Sequence, residues 1–268
     1  MRLSVFTRLS LRTVALGYLF VLLVLPLAII LFRTFERGIG AFLDSITTPA
    51  AISAFQLSMI IVAIVVPLNV VFGVITALAL VRSKFPGRNL VQGLVDLPIA
   101  TSPVVVGVSL ILLWGAGGWF GALENTGFKV IFSLPGMVIA TIFVTLPFVV
   151  REVEPVLHEI GEDQEMAAAT LGANRWQTFW RITLPAIRWG LTYGVVLTVA
   201  RSLGEFGAVI MVSTALPGQS QTLTLLVHGR YINDHNTFGA YSAATLLMGM
   251  ALVVLLLMTL LERKRGPE

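Results

Sequence analysis

Six stretches of this chain, residues 14–32, 57–80, 94–114, 134–150, 190–215 and 241–261, are overwhelmingly apolar and almost free of charge. A helix needs about 20 such residues to cross the hydrocarbon core of a bilayer. Each stretch is therefore expected to be a membrane-spanning helix, and the fold class is all-α: a polytopic membrane protein with six transmembrane helices. Composition agrees. Only 12% of the 268 residues are charged and 56% are hydrophobic, whereas a soluble domain carries about 25% charged residues. That excludes a soluble enzyme of ordinary surface and a disordered chain. The absence of cysteine removes disulfides, thiolate metal sites and cysteine nucleophiles.

The first stretch follows Arg2, Arg8 and Arg12, as the core of a cleaved leader would. Its apolar run is too long for that, and residues 26–32 offer no small-residue cleavage site, so it is expected to remain as a span. The basic residues then fix a topology. Arg2, Arg8, Arg12, Arg82, Lys84, Arg88, Arg151, Arg175, Arg181, Arg188, Arg263, Lys264 and Arg265 all fall on one side of alternating spans, against Arg33, Arg37, Lys129 and Arg230 on the other. By the positive-inside rule both termini are expected in the cytoplasm. The net charge of +4 is thus topology, and no nucleic-acid partner is needed to explain it.

Pro67, Pro98, Pro103 and Pro147 sit within or at the ends of apolar runs. Each removes a backbone donor and invites a kink, tolerated at membrane depth where neighbouring helices or a water-filled cavity satisfy the freed carbonyls. Such breaks fit a transport protein better than a plain anchor.

The segment from Arg151 to Trp189 carries the most information. Its acids, Glu152, Glu154, Glu159, Glu162, Asp163 and Glu165, all precede Gly172, and Arg175, Arg181 and Arg188 follow it. The run Glu165-Met-Ala-Ala-Ala-Thr-Leu-Gly172 reads as a short helix closed by a glycine suited to a left-handed C-cap. Asn174 and Gln177 stand at capping-box spacing for a second helix, with Trp176, Phe179, Trp180 and Thr183 at helical spacing before Leu184-Pro185 is expected to end it. Two short helices meeting at a glycine turn, with acids first and bases second as the helix dipole favours, suit docking to another protein through the side-chain-poor Ala167, Ala168 and Ala169.

This segment resembles the cytoplasmic loop of ABC-importer permeases, in which Glu-Ala-Ala, three residues, Gly, nine residues and Ile-x-Leu-Pro recur. Ala167, Ala168, Gly172, Ile182, Leu184 and Pro185 match at the required spacing. The motif's glutamate falls on Met166, with Glu165 one residue early. The resemblance implies a type I importer permease fold in which residues 1–268 form one permease domain and residues 152–189 a coupling loop. It implies that Glu165, Met166, Ala167, Ala168, Gly172, Ile182, Leu184 and Pro185 couple to a dimer of ATP-hydrolysing subunits.

Two more segments, Ala200-Arg-Ser-Leu-Gly-Glu-Phe-Gly-Ala208 and Ser102-Pro-Val-Val-Val-Gly107, resemble sulfate, molybdate and tungstate permeases. Arg151-Glu-Val-Glu-Pro155 and Thr222-Leu-Thr-Leu-Leu226 are most similar to the W-type sulfate/thiosulfate permeases. The resemblance implies a sulfate (thiosulfate) importer in the bacterial inner membrane, with molybdate or tungstate as the alternative cargo. Its partners would be a second permease subunit (T-type or a second copy), a periplasmic binding protein and lipid. ATP and Mg would be bound by the ATPase subunits, with no cofactor and no metal in this chain.

Within the spans Arg201 and Glu205 are the clear intramembrane charges, one helical turn apart. Charges at bilayer centre cost at least about 2.5–3.5 kcal/mol on insertion scales, so they face a cavity or a partner. Arg201, Glu205, Ser102 and Pro103 are candidates for the translocation pathway or its gate, either as a structural pair at a hinge or through direct anion contact by Arg201. Gly204 and Gly207 are expected to permit close packing of a neighbouring helix, and Asp96 to mark the cytoplasmic end of the third span. The glycine run 115–121 lacks the strand-turn-helix setting of a phosphate loop, and no G-x-x-x-x-G-K-[ST] occurs. His228, Asp234 and His235 share a loop in which solvation is the simpler role than metal binding. No catalytic constellation is visible. A self-sufficient ion-coupled carrier would show internal repeats with midplane charges in both halves, and none is apparent.

Overall fold

The computed structural model describes residues 5–127 and 129–263; Arg2, Lys264 and Arg265 of the topology count lie outside them. Every regular element among the described residues is helical. The first span is built from α1 (Val5–Leu19) and α2 (Leu25–Phe35), joined without a break by a π-helical turn at Phe20–Val24. α3 (Gly38–Ile46) leads to α4 (Pro49–Arg82), whose first turn is capped by Thr48 accepting from the Ala51 amide. α5 (Arg88–Ala100) and α6 (Pro103–Trp114) follow, then α7 (Leu134–Ile160). The remainder is α8 (Asp163–Thr170), α9 (Arg175–Thr178), α10 (Leu184–Leu203), α11 (Gly207–Val212), α12 (Leu223–His228) and α13 (Thr237–Arg263).

α7 is the hub. More than half (56%) of its most apolar window is buried within the chain, against none of the corresponding window in the first span, Ser10–Phe35. α4 and α10 lie along α7 because glycines let the backbones meet. A Cβ on Gly73 would stand 2.7 Å from Val149 Cβ, one on Gly190 2.5 Å from the Glu152 carbonyl, and one on Gly194 2.9 Å from Val149 Cα. Small residues at such contacts are the usual device where lipid supplies no hydrophobic drive between helices. A buried hydrogen bond of 2.6 Å from Asn69 Nδ2 to Thr145 Oγ1 fixes the register of α4 on α7. One apolar cluster, including Val149, Val153, Leu157 and Ile187, packs the end of α7 near residue 160. Another, including Val65, Val106, Met137 and Val209, packs the opposite end.

Two expected spans are not single helices. The third breaks at Thr101-Ser102, where α5 and α6 meet at 114°; Pro103 opens α6 and pushes the preceding residues into extended backbone. The fifth stops at Leu203, and Gly204-Glu205-Phe206 are non-helical before α11 begins. By contrast Pro67 and Pro147 lie inside continuous helices. The expected helix end at Leu184-Pro185 is also corrected. A π-helical turn over Phe179–Thr183, closed by the Leu184 amide on the Phe179 carbonyl, precedes Pro185 and carries α9 directly into α10. Pro185 is the second residue of α10, directly after that turn. Among the described residues five helices are long and apolar enough to cross a membrane, and the bent α5–α6 pair, taken as one span, makes six. The chain is a multi-pass membrane protein.

Candidate functional site

Two constellations stand out, an elbow beyond α7 and a polar centre where α10 breaks. At the elbow, Asp163 and Glu165 occupy the first turn of α8, where their charge complements the helix dipole. α8 closes as the sequence anticipates. The Ala173 amide reaches the Ala168 carbonyl at 3.0 Å and the Gly172 amide the Ala169 carbonyl at 3.0 Å, the Schellman arrangement, with Gly172 at φ +87°. The next helix starts on a complete capping box: Asn174 Oδ1 accepts from the Gln177 amide at 2.8 Å, and the Asn174 amide donates to Gln177 Oε1 at 3.0 Å. α7 continues helically to Ile160, so the connection proper is shorter than residues 152–189.

The elbow exposes several large apolar side chains. Leu171 is 88% exposed, and Met166, Trp176 and Trp180 are exposed beside it, with Trp176 and Trp180 edge to face at 5.5 Å. Ala167 and Gly172 are also on the surface and Ala168 is half-buried, which leaves the backbone approachable. Ile182 is half-buried, Pro185 exposed, and Leu184 packs against the cluster at the end of α7. A groove of about 590 Å³ runs between α8 and the α9–π-helical segment, lined by Glu165, Met166, Phe179 and Thr183 among others, together with Leu78 of α4. Glu165 itself turns inward. Its carboxylate lies 3.3 Å from Arg82 Nε and accepts from Thr183 Oγ1 at 2.9 Å, while Met166, at the motif's glutamate position, faces out.

At the polar centre, Arg201 Nη2 lies 2.8 Å from Glu205 Oε2. The Glu205 side chain is 1% exposed and that of Arg201 34%. Glu205 Oε1 accepts from the Ala208 amide at 2.8 Å, which caps α11, and the Glu205 carbonyl accepts from Thr224 Oγ1 at 2.8 Å. Ser58, Thr141, Ser202, Thr222 and Thr224 line a small cavity with Glu205, together with Ile61, Leu203 and Val209. The other helix break is adjacent: a Cβ on Gly207 would lie 3.0 Å from Pro103 Cβ, and one on Gly107 2.5 Å from Met211 Cβ. Pro103 is therefore brought to the segment of Glu205, whereas Ser102 is exposed at the start of α6 without capping it. Gly204, expected to admit a neighbour, has only its own helix's carbonyls within 4 Å of a built Cβ, the nearest at 3.7 Å.

Asp96 pairs with Arg151 at 2.9 Å and so ties α5 to α7. In the glycine run the amides of Gly118 and Gly121 bond to the carbonyls of Gly115 and Gly118, and that of Phe120 to the Leu113 carbonyl of α6, so they are not a cradle for phosphate. His228 lies against Phe206, 5.2 Å between ring centroids. Among the described residues no group of three or more His, Cys, Asp or Glu side chains is gathered as a metal site needs. The sequence reading passed over Arg82, counted only as a topology charge, and the hydroxyl side chains that share a cavity with Glu205. The available signal was Thr141 and Ser202, hydroxyls in predominantly apolar runs.

Comparisons with known proteins agree with this architecture. Residues 69–266 match the family described as binding-protein-dependent transport system inner membrane component. The sulfate transport system permease protein CysW of Synechococcus elongatus is 47% identical over 97% of this chain and 91% of its own length. CysW of Escherichia coli (strain K12) is 45% identical over 91% of this chain and 83% of its own length. A solved structure of a bacterial ABC transporter that imports the acidic polysaccharide alginate superposes with a TM-score of 0.81. It covers 98% of this chain and 96% of the other at 18% identity, which speaks for the fold. The chain therefore belongs to the inner membrane components of binding-protein-dependent transport systems, and among them to the CysW permeases.

Proposed function

We propose that this chain is a permease subunit of an ATP-driven sulfate importer, that it supplies half of the pathway, and that its elbow is the surface on which the ATP-hydrolysing subunits push. The cargo reading is carried by the near full-length similarity to proteins named sulfate transport system permeases, at 45–48% identity. That favours sulfate, with thiosulfate as a related oxyanion, over molybdate or tungstate.

The companion subunit is a CysT-type permease. Synechocystis sp. has both a CysW protein 48% identical to this chain and a CysT protein 36% identical, which supports two unlike halves rather than a pair of identical ones. A soluble periplasmic receptor delivers the anion; the alginate transporter is described in complex with such a protein. The chain lies in the inner membrane of a bacterial cell, and the excess of Arg and Lys on one side of the spans supports a cytosolic elbow and cytosolic termini. ATP and Mg are held by the ATPase subunits.

Mechanically, α9, the π-helical turn and α10 form one uninterrupted rod. A push on the elbow moves that rod, and the displacement arrives at Gly204, where helical hydrogen bonding ends beside Arg201 and Glu205. Arg201, a third exposed, offers positive charge to an oxyanion passing the break, while Glu205 holds it in place. Met166, Ala167, Ala168 and Gly172 form the docking face, and Ile182, Leu184 and Pro185 join it to the span.

The test is reconstitution into liposomes with labelled sulfate inside or outside. Uptake is expected only when this chain is accompanied by its companion, the ATPase subunits, ATP and the receptor. Sulfate movement by this chain alone would overturn the reading in favour of a self-sufficient carrier.

A further inference from the structure

Arg82 is the last residue of α4 and its side chain is 15% exposed. Nη1 donates to the Leu157 carbonyl at 3.2 Å and Nη2 to the Gly161 carbonyl at 2.6 Å, so the guanidinium caps the end of α7. The same group lies 3.3 Å from both Glu165 oxygens, through Nη2 to Oε1 and Nε to Oε2. Glu165 in turn accepts from Thr183 at the foot of α10. One planar, permanently charged fork therefore ties together the ends of α4 and α7, the first turn of α8 and, through Glu165, the start of α10.

We infer that Arg82 is a positioning residue for coupling: its pairing with Glu165 locks α8 to α4 and α7, so that a displacement of the elbow moves these spans together with α10. The inference rests on the elbow being the coupling surface. Without the lock, α8 is joined to α7 only through Gly161-Glu162, and Gly161 has φ +63°, a swivel that lets α8 move alone. The covalent rod through α9 would then drive α10 while α4 and α7 stayed behind. Geometry favours arginine here because its separate nitrogens serve two carbonyls and the Glu165 carboxylate at once, which the single nitrogen of a lysine cannot span.

The experiment uses the assembled transporter in liposomes and reads sulfate transported per ATP hydrolysed. Glu165→Gln keeps both carbonyl bonds of Arg82 and its 4.0 Å approach to Glu162 and removes only the Glu165 ion pair; a fall of fivefold or more in transport per ATP is expected. Arg82→Gln is expected to fall at least as far, and Arg82→Gln with Glu165→Gln no further than Arg82→Gln alone, because the two act through each other. Arg82→Lys should recover part of the ratio. If Arg82→Gln does not assemble, the Glu165→Gln arm alone decides. An unchanged ratio in Glu165→Gln, or strictly multiplicative losses in the double variant, would overturn the lock. The wild type separates this failure from that of the functional reading, since no ATP-dependent sulfate uptake by the wild-type complex would defeat the reading itself.

Discussion

Arg201 and Glu205 meet at 2.8 Å across the last turn of α10, at the point where the helix gives out. Glu205 also accepts the Ala208 amide and so starts the next short helix. The carboxylate thus serves both sides of the break, and the arginine is held where the fifth span is free to bend. Removing one partner of a buried pair costs about 3–5 kcal/mol because the other charge is stranded; Arg201 is a third exposed, so the lower end applies. Glu205→Ala is expected to destabilise the detergent-solubilised protein by about 3 kcal/mol, visible as a lower midpoint of thermal unfolding. Glu205→Gln keeps an acceptor for Ala208 and should lose less. Arg201→Gln with Glu205→Gln should be milder than the sum of the single changes.

Gly172 sits at φ +87° with nothing within 4 Å of a built Cβ, so its identity is demanded by backbone conformation alone. A left-handed residue other than glycine costs about 1–2 kcal/mol, and proline cannot adopt that φ at all. Gly172→Pro is expected to insert and accumulate normally while sulfate uptake falls to background, with Gly172→Ala intermediate. Normal uptake by Gly172→Pro would remove the glycine turn from the coupling path.

The close approach of α10 to α7 sets a contrast between glycines. At Gly190 a Cβ would stand 2.5 Å from the Glu152 carbonyl, and at Gly107 2.8 Å from the Ala208 carbonyl, whereas Gly249 in α13 meets nothing within 4 Å. Overpacking costs about 1–3 kcal/mol where the backbone must shift. Gly190→Val and Gly107→Val should lower the unfolding midpoint and the membrane yield, and Gly249→Ala should leave both unchanged.

Beyond α12, Arg230 is buried and donates to the Ser45 carbonyl at 3.1 Å, Thr48 Oγ1 at 2.8 Å and the Gly239 carbonyl at 3.0 Å. It staples the start of α4 to the start of α13. Burial lowers its pKa, while the nearby Asp234 raises it; an arginine starts so high that it stays protonated across any working pH. No pH dependence of stability below pH 9 is therefore expected from this group. Arg230→Met should destabilise by at least about 1.5–3 kcal/mol, the scale of one hydrogen bond from a charged group. Lysine should restore only part, because it cannot reach all three acceptors.

Much of this architecture was legible in the residues. Long uncharged runs located the spans, and the turn at Gly172 and the Asn174–Gln177 box were readable because both depend on local backbone chemistry that nearby residues specify. Of the two broken spans, the third carried its warning in Pro103, while the fifth carried none. Hydropathy is blind to a stop such as Gly204-Glu205-Phe206, whose cost is met by Thr224, nineteen residues along the chain. Nor could a local pattern show that Pro185 continues a helix, since the π-helical turn that absorbs it is a backbone adjustment rather than a residue preference. Arg82 looked like a boundary charge because its acceptors, Leu157, Gly161 and Glu165, come from a segment more than seventy residues away.

The coupling claim is tested most directly by contact. The chain has no cysteine, so single cysteines at Met166 and Leu171, both exposed on the elbow, are unique handles for crosslinking in the assembled transporter. Crosslinks to the ATP-hydrolysing subunit are expected from both positions, with a yield that changes between nucleotide-free and ATP-bound states, and none from a control cysteine at Trp119. Absence of any such crosslink from the elbow in an actively transporting complex would contradict it.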